Sequence, residues 1–344
     1  DSRCRGGRQP AQAPRLDFPG ECRMSDLTKL RLPQKVIHAD WSRRAEKRWA
    51  AAASLQTDGS YILEKIDQII EPQELVGEIN QKEQTQTLLI GFDFVIGLPI
   101  AYARQIGCNY FPDFLTQLAL PEWHSFFDPA QLPEEISLTR PFYPDRPGST
   151  RQAHLIDALG LPDKQALRRC CEKAQPGRRA ASPLFWTMGA QQVGKAALNG
   201  WCTILLPALS SGQAVIWPFS GELAPLLATP NTILCETYPA EYYAGLGITL
   251  KGSKRSPSVR RLHALPILSS ANTLGLNIGN KIRKYIESGF GDGSEGEDVF
   301  DALVGLLGML QVLRGDRSFE TPGDPNIRRI EGWILGQKPP IVDG

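Results

Sequence analysis

The hydrophobic pattern at the start of the chain indicates a mixed sheet. Three segments rich in apolar residues follow one another, and Thr57-Asp58-Gly59 forms a turn signal between the second and the third. A helical pattern comes next, and then a continuous apolar run of the kind found in strands that are covered on both faces. The predicted strands are 36–42, 47–55, 60–66 and 87–93, with a helix at 72–82 before the last of them. The opening order is therefore β-β-β-α-β.

The second half of the chain alternates helices and strands. Apolar runs predict strands at 214–219 and 231–236. Helical patterns cover 182–209, 238–246 and 259–288, and a strongly apolar helix is predicted at 297–313. The residues that follow, 317–335, are expected to form a closing hairpin. Together with the opening, this order predicts an α/β fold in which helices flank a mixed sheet.

Two segments lie outside that alternation. Residues 100–180, approximately, hold short helical patterns and a Pro-rich run, and we expect a helical, Pro-rich insertion that packs on the main sheet. Residues 1–30 are basic and rich in Pro and Gly, which predicts a flexible tail without the apolar core of a secretory signal. The remaining residues, 31–344, are expected to form a single domain.

Composition and charge narrow the possible partners. Apolar residues make up 42% of the 344 residues, so the chain can bury a large core. The 38 Lys and Arg residues nearly cancel the 37 Asp and Glu residues, which excludes a uniformly basic nucleic-acid coat but leaves room for a local basic face. No apolar run approaches the roughly 20 residues that span a bilayer, which predicts a soluble protein. The seven irregularly spaced cysteines predict reduced thiols and a cytoplasmic location.

Acidic residues end three of the predicted strands. Asp40, Asp93 and Glu236 close the strings VIHAD, TLLIGFD and NTILCE. If these strands are parallel neighbours, the three acids meet outside the carboxyl ends of the strands, where open α/β sheets bind ligands. Each acid alone is also a plausible helix cap. Clustered carboxylates repel one another, so the set indicates a bound cation, and oxygen ligands favour Mg²⁺ or Mn²⁺.

The apolar helix near the end of the chain carries two further acids. Asp298 and Asp301 are three residues apart and therefore share a helix face. An acid in the first turn also interacts with the helix dipole, which is enough to explain Asp298. Asp301 lies deeper in an apolar stretch, where an unpaired charge is costly to bury, and this favours a functional role for it.

These motifs resemble a known group. The strings HADWS (38–42), FDFVIGLP (92–99), ETYP (236–239) and DVFDAL (298–303) are similar to those of predicted RNase H-like nucleases within the RNase H-like superfamily, and the Asp-x-x-Asp helix resembles that of RuvC-type resolvases. The resemblance implies an RNase H-like sheet and metal ligation by Asp40, Asp93 and Asp301. Asp298 and Glu236 would complete the catalytic set.

The chemistry implied by this resemblance is hydrolysis of nucleic-acid phosphodiesters. Two Mg²⁺ or Mn²⁺ ions about 4 Å apart would stabilise the attacking water and the leaving oxygen. Basic residues would then bind DNA or RNA. The predicted substrate-binding residues are Lys195, Lys254 and Arg255, and Lys47 and Arg104 are further candidates for contacting the phosphoryl oxygens.

Two other functions remain open at this stage. A non-catalytic module could keep the fold for binding a partner. An ATP-using phosphotransferase of related fold would need glycine-rich phosphate loops, and none follows the first strand. The segment 189–196 approaches a phosphate-binding loop, but Ala196 replaces the Ser or Thr that would reach the magnesium ion. A helical turn is the expected structure there.

Overall fold

Seven short, mostly buried segments pair into one sheet. The computed structural model describes residues 30–72, 75, 85–174, 179–188, 193–212 and 214–340. Their strands are β1 (Lys35–Asp40), β2 (Trp49–Leu55), β3 (Tyr61–Gln68), β4 (Leu88–Phe92), β5 (Ala214–Ile216), β6 (Thr232–Glu236) and β7 (Leu276–Asn277). The predicted α/β class, with a mixed sheet flanked by helices, is confirmed.

The order of the strands brings the ends of β1, β4 and β6 together. Across the sheet the order is β5-β6-β4-β1-β2-β3-β7. Strands β5, β6, β4 and β1 are parallel neighbours, β2 is antiparallel to β1 and to β3, and β7 is parallel to β3. Since carboxyl ends of parallel strands lie at the same edge, the acids that end β1, β4 and β6 share that edge.

Helices cover both faces of the sheet. They are α1 (Ile100–Gln105), α2 (Phe111–Gln117), α3 (Gln152–Ala158), α4 (Val193–Gly200), α5 (Leu206–Ser211), α6 (Leu223–Ala228), α7 (Pro239–Tyr242), α8 (Pro257–Arg261), α9 (Ala264–Thr273), α10 (Asn280–Glu287) and α11 (Gly296–Arg314). A short π-helical segment, Trp201–Leu205, joins α4 to α5, and another occupies Ile327–Glu331. None of the helices in the described ranges is long and apolar enough to cross a membrane.

Alternate residues of the strands enter two separate buried clusters. Ile37 and Phe92 point to one face, where aromatic residues of the 100–180 segment such as Phe111 and Phe126 join the same cluster. Val36, Leu89 and most of α11 form the cluster on the opposite face. The strands are therefore covered on both sides, and this explains why β4 and β6 are continuous apolar runs.

Helix α11 lies very close to the sheet because glycine replaces a side chain where it crosses β1. A Cβ atom on Gly305 would collide with the ring of His38, and one on Gly308 would collide with the ring of Tyr242. His38 is fully buried, and burial lowers its pKa to about 3, so the ring is neutral. The His38–Gly305 contact sets the position of α11, and it places Asp301, one turn earlier, near the end of β1.

Some expectations for the chain ends and the later helices were wrong or lie outside the described residues. No hairpin forms at 317–335, where the described backbone has a π-helical segment and single bridges, Ser318 to Gly336 and Glu236 to Ile334. The helix expected at 259–288 is divided into α8, α9 and α10, and β7 lies between the last two. Most of the helix expected at 72–82, and the tail 1–30 apart from Leu30, fall outside the described residues.

Gly305→Ala tests the close approach of α11. We expect the added methyl group to press on His38 and to lower the free energy of unfolding by about 1–3 kcal/mol, as overpacking does. This expected loss is the net effect, after the gain in helix propensity of roughly 1 kcal/mol has been subtracted. Urea unfolding measures the change, with Gly323→Ala as the control because nothing lies within 4 Å of a Cβ there. Equal stability of the two variants would contradict the proposed contact.

Candidate functional site

Two aspartates lie side by side at the carboxyl edge of the sheet. Asp40 is the last residue of β1, and Asp93 directly follows β4, the parallel neighbour of β1. The Trp41 backbone N–H donates to Asp93 Oδ1 at 2.6 Å. Burial, followed by repulsion from Asp93 and Asp301, holds the pKa of Asp40 well above its usual range. Burial also raises the pKa of Asp93 to about 6 despite the hydrogen bond from Trp41.

Helix α11 brings a third carboxylate to this pair. Asp301 is buried, and its charge raises the pKa of both Asp40 and Asp93. The hydroxyl of Tyr243 donates to Asp301 Oδ1 at 3.1 Å. The three aspartates, Asp40, Asp93 and Asp301, are called the aspartate cluster below. These three residues are the ones predicted from the sequence as metal ligands, and they lie close enough for their charges to interact.

Lys254 provides the positive charge of the aspartate cluster. Its ammonium group forms an ion pair with Asp301 and lies 3.7 Å from Glu297 Oε1. Burial disfavours the ammonium form, yet Asp301, Tyr243 and Asp40 raise the pKa of Lys254 above its ordinary value. Lys254 is therefore charged at neutral pH, and it offsets one of the negative charges of the cluster.

The other predicted cations lie around the cluster or away from it. Lys47 Nζ is 3.4 Å from Asp298 Oδ2, and Arg255 Nε is 3.2 Å from Glu297 Oε2. Lys195 instead donates to the backbone carbonyl of Asp145 at 3.0 Å, and Arg104 is exposed on α1. Lys254, Lys47 and Arg255 are thus the predicted basic residues that contact the acids of α11 directly.

Asp298 lies at the margin of the cluster. It is in the first turn of α11, one turn before Asp301. Burial raises the pKa of Asp298 to about 6, and the Lys47 ammonium group partly opposes this shift. Its ion pair with Lys47 connects α11 to the loop after β1. Asp298 therefore belongs to the wall of the site and lies near Asp301.

Glu236 is engaged by an arginine. Arg169 Nη2 and Nη1 lie 2.5 and 2.7 Å from the two carboxylate oxygens of Glu236, and the Ile96 N–H donates to Oε2 at 2.7 Å. Arg169 Nε also donates to Glu172 at 2.8 Å. This buried network holds the loop after β4. Glu236 therefore acts here as a partner of Arg169, and the aspartates are joined by Asp301 instead.

The aspartates do not form a ready-made metal cage. In the part of the chain that the structure describes, no group of three or more His, Cys, Asp or Glu side chains is arranged to hold a metal ion. The ammonium group of Lys254 takes the place of a counter-ion at Asp301. The donor atoms are nevertheless those that hard divalent cations prefer. The chemistry of the donors fits such an ion, and their present arrangement is closed by Lys254.

Similarity to known proteins does not identify this cluster. Comparisons of the chain with protein-family models, with curated proteins and with solved structures found no match. The chemical arrangement of the side chains is therefore the basis for inferring a function. Two residues that bind these acids could not be predicted from the sequence. Tyr243 belongs to no motif, and the only signal for Arg169 is Glu172 three residues later.

The raised pKa of Asp93 predicts a pH-dependent stability. The folded-state pKa of about 6 lies above the unfolded value of about 3.9, so the folded protein takes up the proton first. The resulting stabilisation is complete below about pH 4 and is lost as the pH rises through about 6. In chelator, the free energy of unfolding of the native protein should therefore increase by about 2–3 kcal/mol more than that of Asp93→Asn between pH 7 and pH 4. The exposed-site variant Asp157→Asn is the control and should follow the native protein. If the free energy of unfolding of Asp93→Asn changes with pH as that of the native protein does, the raised pKa of Asp93 is excluded as the cause.

Arg169→Met tests the buried network around Glu236. Glu236 and Glu172 would remain buried without their cation, so we expect the free energy of unfolding to fall by about 3–5 kcal/mol. Arg168→Met is the matched control, because its guanidinium donates to the carbonyls of Ala181 and Lys164 and, among the described residues, to no carboxylate. Denaturant unfolding measures both variants. A loss at Arg169 no larger than that at Arg168 would show that the ion pair contributes little.

Proposed function

We propose that the protein is a metal-dependent phosphodiester hydrolase of RNase H-like type that acts on nucleic acid. The observation that carries the proposal is the meeting of Asp40, Asp93 and Asp301 at the carboxyl edge of one sheet. These are the three positions that the family resemblance implies as ligands. The strand order supports the RNase H-like assignment, since a β1-β2-β3 antiparallel meander is followed by β4 beside β1.

The electrostatics of the cluster support a divalent cation. Asp40 and Asp93 have raised pKa values, caused by burial and by the charge of Asp301, so their ionised forms lack full compensation. A divalent cation would remove that imbalance. Asp40, Asp93 and Asp301 would hold Mg²⁺ or Mn²⁺, which would supply charge stabilisation for the attacking water and the leaving oxygen of an in-line displacement.

The residues of the chain itself have three tasks in this proposal. Trp41 N–H orients the carboxylate of Asp93 through its hydrogen bond to Oδ1, and Tyr243 does the same for Asp301. Lys254 would have to release Asp301 for a cation to be held there, and Glu297 Oε1, 3.7 Å from its ammonium group, would give it an alternative partner. From there Lys254 and its neighbour Arg255 would face the phosphoryl oxygens of a substrate.

A second candidate function follows from Lys254. A cluster in which Lys254 already pairs with Asp301 is also what a non-catalytic binding module of the same fold would show. The specific observation in its favour is the lack, among the described side chains, of a group of three ligands arranged for a metal. Metal affinity distinguishes the two functions. The hydrolase is expected to bind a divalent cation in place of Lys254, and the binding module is not.

Mn²⁺ titration calorimetry tests the proposed function. We expect the native protein to bind Mn²⁺, and Asp93→Asn and Asp301→Asn to lose affinity by on the order of a hundredfold, at least as much as the loss of an outer-shell partner causes. Cleavage of labelled DNA and RNA should be lost in the same two variants. Lys254→Gln should bind Mn²⁺ more tightly than the native protein, because the competing ammonium group is removed.

The matched control is Asp157→Asn, an exposed position on α3 that should change neither metal affinity nor cleavage. If the native protein binds no Mn²⁺ even with a non-cleavable duplex present, and cleaves no substrate, the hydrolase proposal is wrong and the binding module is the better description. Equal Mn²⁺ affinity of the native protein and Asp93→Asn would likewise remove the aspartate cluster as the binding site.

A further inference from the structure

A cavity with a basic lining lies beside the aspartate cluster. Its volume is about 490 Å³, within the range of roughly 300–1,000 Å³ that small-molecule sites occupy. Three parts of the chain line the cavity: the loop after β1, the 100–180 segment, and α4 with the π-helical segment after it. The lining residues include Arg43, Phe127, Asp128, Arg140, Asp145, Lys195 and Asn199. This space is called the basic cavity below. Of its lining, Lys195 alone was predicted from the sequence to bind substrate, and the proposed function assigns the cavity no role.

Two cationic side chains of the lining, Arg43 and Lys195, have hydrogen-bond donors that no described residue uses. The guanidinium group of Arg43 is exposed and makes no hydrogen bond or ion pair within the described ranges of the chain. Lys195 gives one N–H to the carbonyl of Asp145 and has two more. Arg140 is different, since it donates to the carbonyls of Asp128 and Pro129 and pairs with Glu135 at 3.6 Å.

The acids of the lining do not cancel these charges. Asp145 lies 3.5 Å from Arg146, so its carboxylate already has a cation. Asp128 is exposed to solvent. Arg43 and Lys195 therefore leave the basic cavity with a net positive charge, which is suited to a ligand that carries phosphate.

One residue connects the basic cavity to the aspartate cluster. The backbone N–H of Trp41 donates to Asp93, and its indole N–H donates to Asn199 Oδ1 at 3.0 Å. Asn199 lines the cavity, and its amide NH₂ group has no other hydrogen bond to the residues that the structure covers. A ligand in the basic cavity that contacts Asn199 is thus connected to Asp93 through Asn199 and Trp41.

We propose that the basic cavity binds one nucleotide of a single-stranded nucleic acid, next to the phosphate that lies at the aspartates. Arg43 and Lys195 contact its phosphate, and the free NH₂ group of Asn199 and the ring of Phe127 contact its base. A pocket admits an unpaired nucleotide and excludes a stacked duplex, so the expected substrate is single-stranded. This inference rests on the proposed function and adds the form of the substrate.

The experiment measures binding without cleavage. A labelled single-stranded oligonucleotide, on the order of ten nucleotides long, is titrated in chelator at several salt concentrations, and a duplex of the same sequence is titrated in parallel. Arg43→Gln and Lys195→Gln should each weaken binding of the single strand. Each should also reduce the slope of log K against log salt by about 0.7, the value for one lost phosphate contact.

The controls are neighbouring exposed cations outside the lining. Arg44→Gln follows Arg43 directly, and its side chain pairs with Glu46, while Lys164→Gln removes the same charge as Lys195→Gln. Neither control should change the salt slope. A merely structural effect at Lys195 would lower the melting temperature without reducing that slope, so thermal unfolding of each variant is measured as well.

The outcomes test the nucleotide-binding cavity and the proposed hydrolase separately. If Arg43→Gln and Lys195→Gln both bind the oligonucleotide as tightly as the native protein does, the proposal that the basic cavity binds a nucleotide is wrong. Cleavage by the native protein but not by Asp93→Asn would still support the hydrolase. Duplex bound more tightly than single strand also overturns the single-stranded assignment. If no oligonucleotide binds even at low salt, the cavity proposal fails, and Mn²⁺-dependent cleavage then decides the function separately.

Discussion

The contact between His38 and Gly305 is the constraint on which the rest of the site depends. Because residue 305 has no side chain, α11 lies against β1 at a distance that any other residue would prevent. Asp301 precedes Gly305 by one turn, and Asp40 follows His38 by two residues on the same face of β1. The packing contact therefore determines which two carboxylates meet. The neutral state of His38 also keeps a positive charge away from this interface, so that Lys254 remains the cation nearest Asp301.

Buried acids at this edge of the sheet are compensated in two different ways. Burial raises the pKa of Glu236, and a bidentate arginine and a backbone donor oppose that shift. The aspartate cluster has one lysine for three carboxylates, and repulsion among the aspartates adds to burial in raising the pKa of Asp40 and of Asp93. A fully compensated acid stabilises a loop, whereas an under-compensated group retains affinity for protons and cations. This difference in compensation is the reason for assigning function to the aspartates and structure to Glu236.

The strands and the helix that carry the acids could be predicted from the sequence because they are buried on both faces. Strands β4 and β6 are continuous apolar runs, and α11 is apolar over most of its length, so the acids that interrupt or end them stood out. The partners of those acids were not legible. Arg169 is 67 residues from Glu236, and Lys254 is 47 residues from Asp301, so no spacing rule joins them. The two-residue strand β7 is likewise too short to give a pattern, and it forms only because β3 offers an edge.

Lys254 is the residue that relates the closed cluster to the proposed chemistry. The ammonium group and the protons held at raised pKa supply positive charge that a divalent cation would replace. The cost of that exchange is limited, because Glu297 is already within 3.7 Å of Lys254 and can retain it as an ion pair when Asp301 is released. In the proposed hydrolase, the same movement would turn Lys254 from a partner of Asp301 into a ligand for phosphate. In that proposal a single lysine, placed between two acids of one helix, would couple the entry of the metal to the binding of substrate.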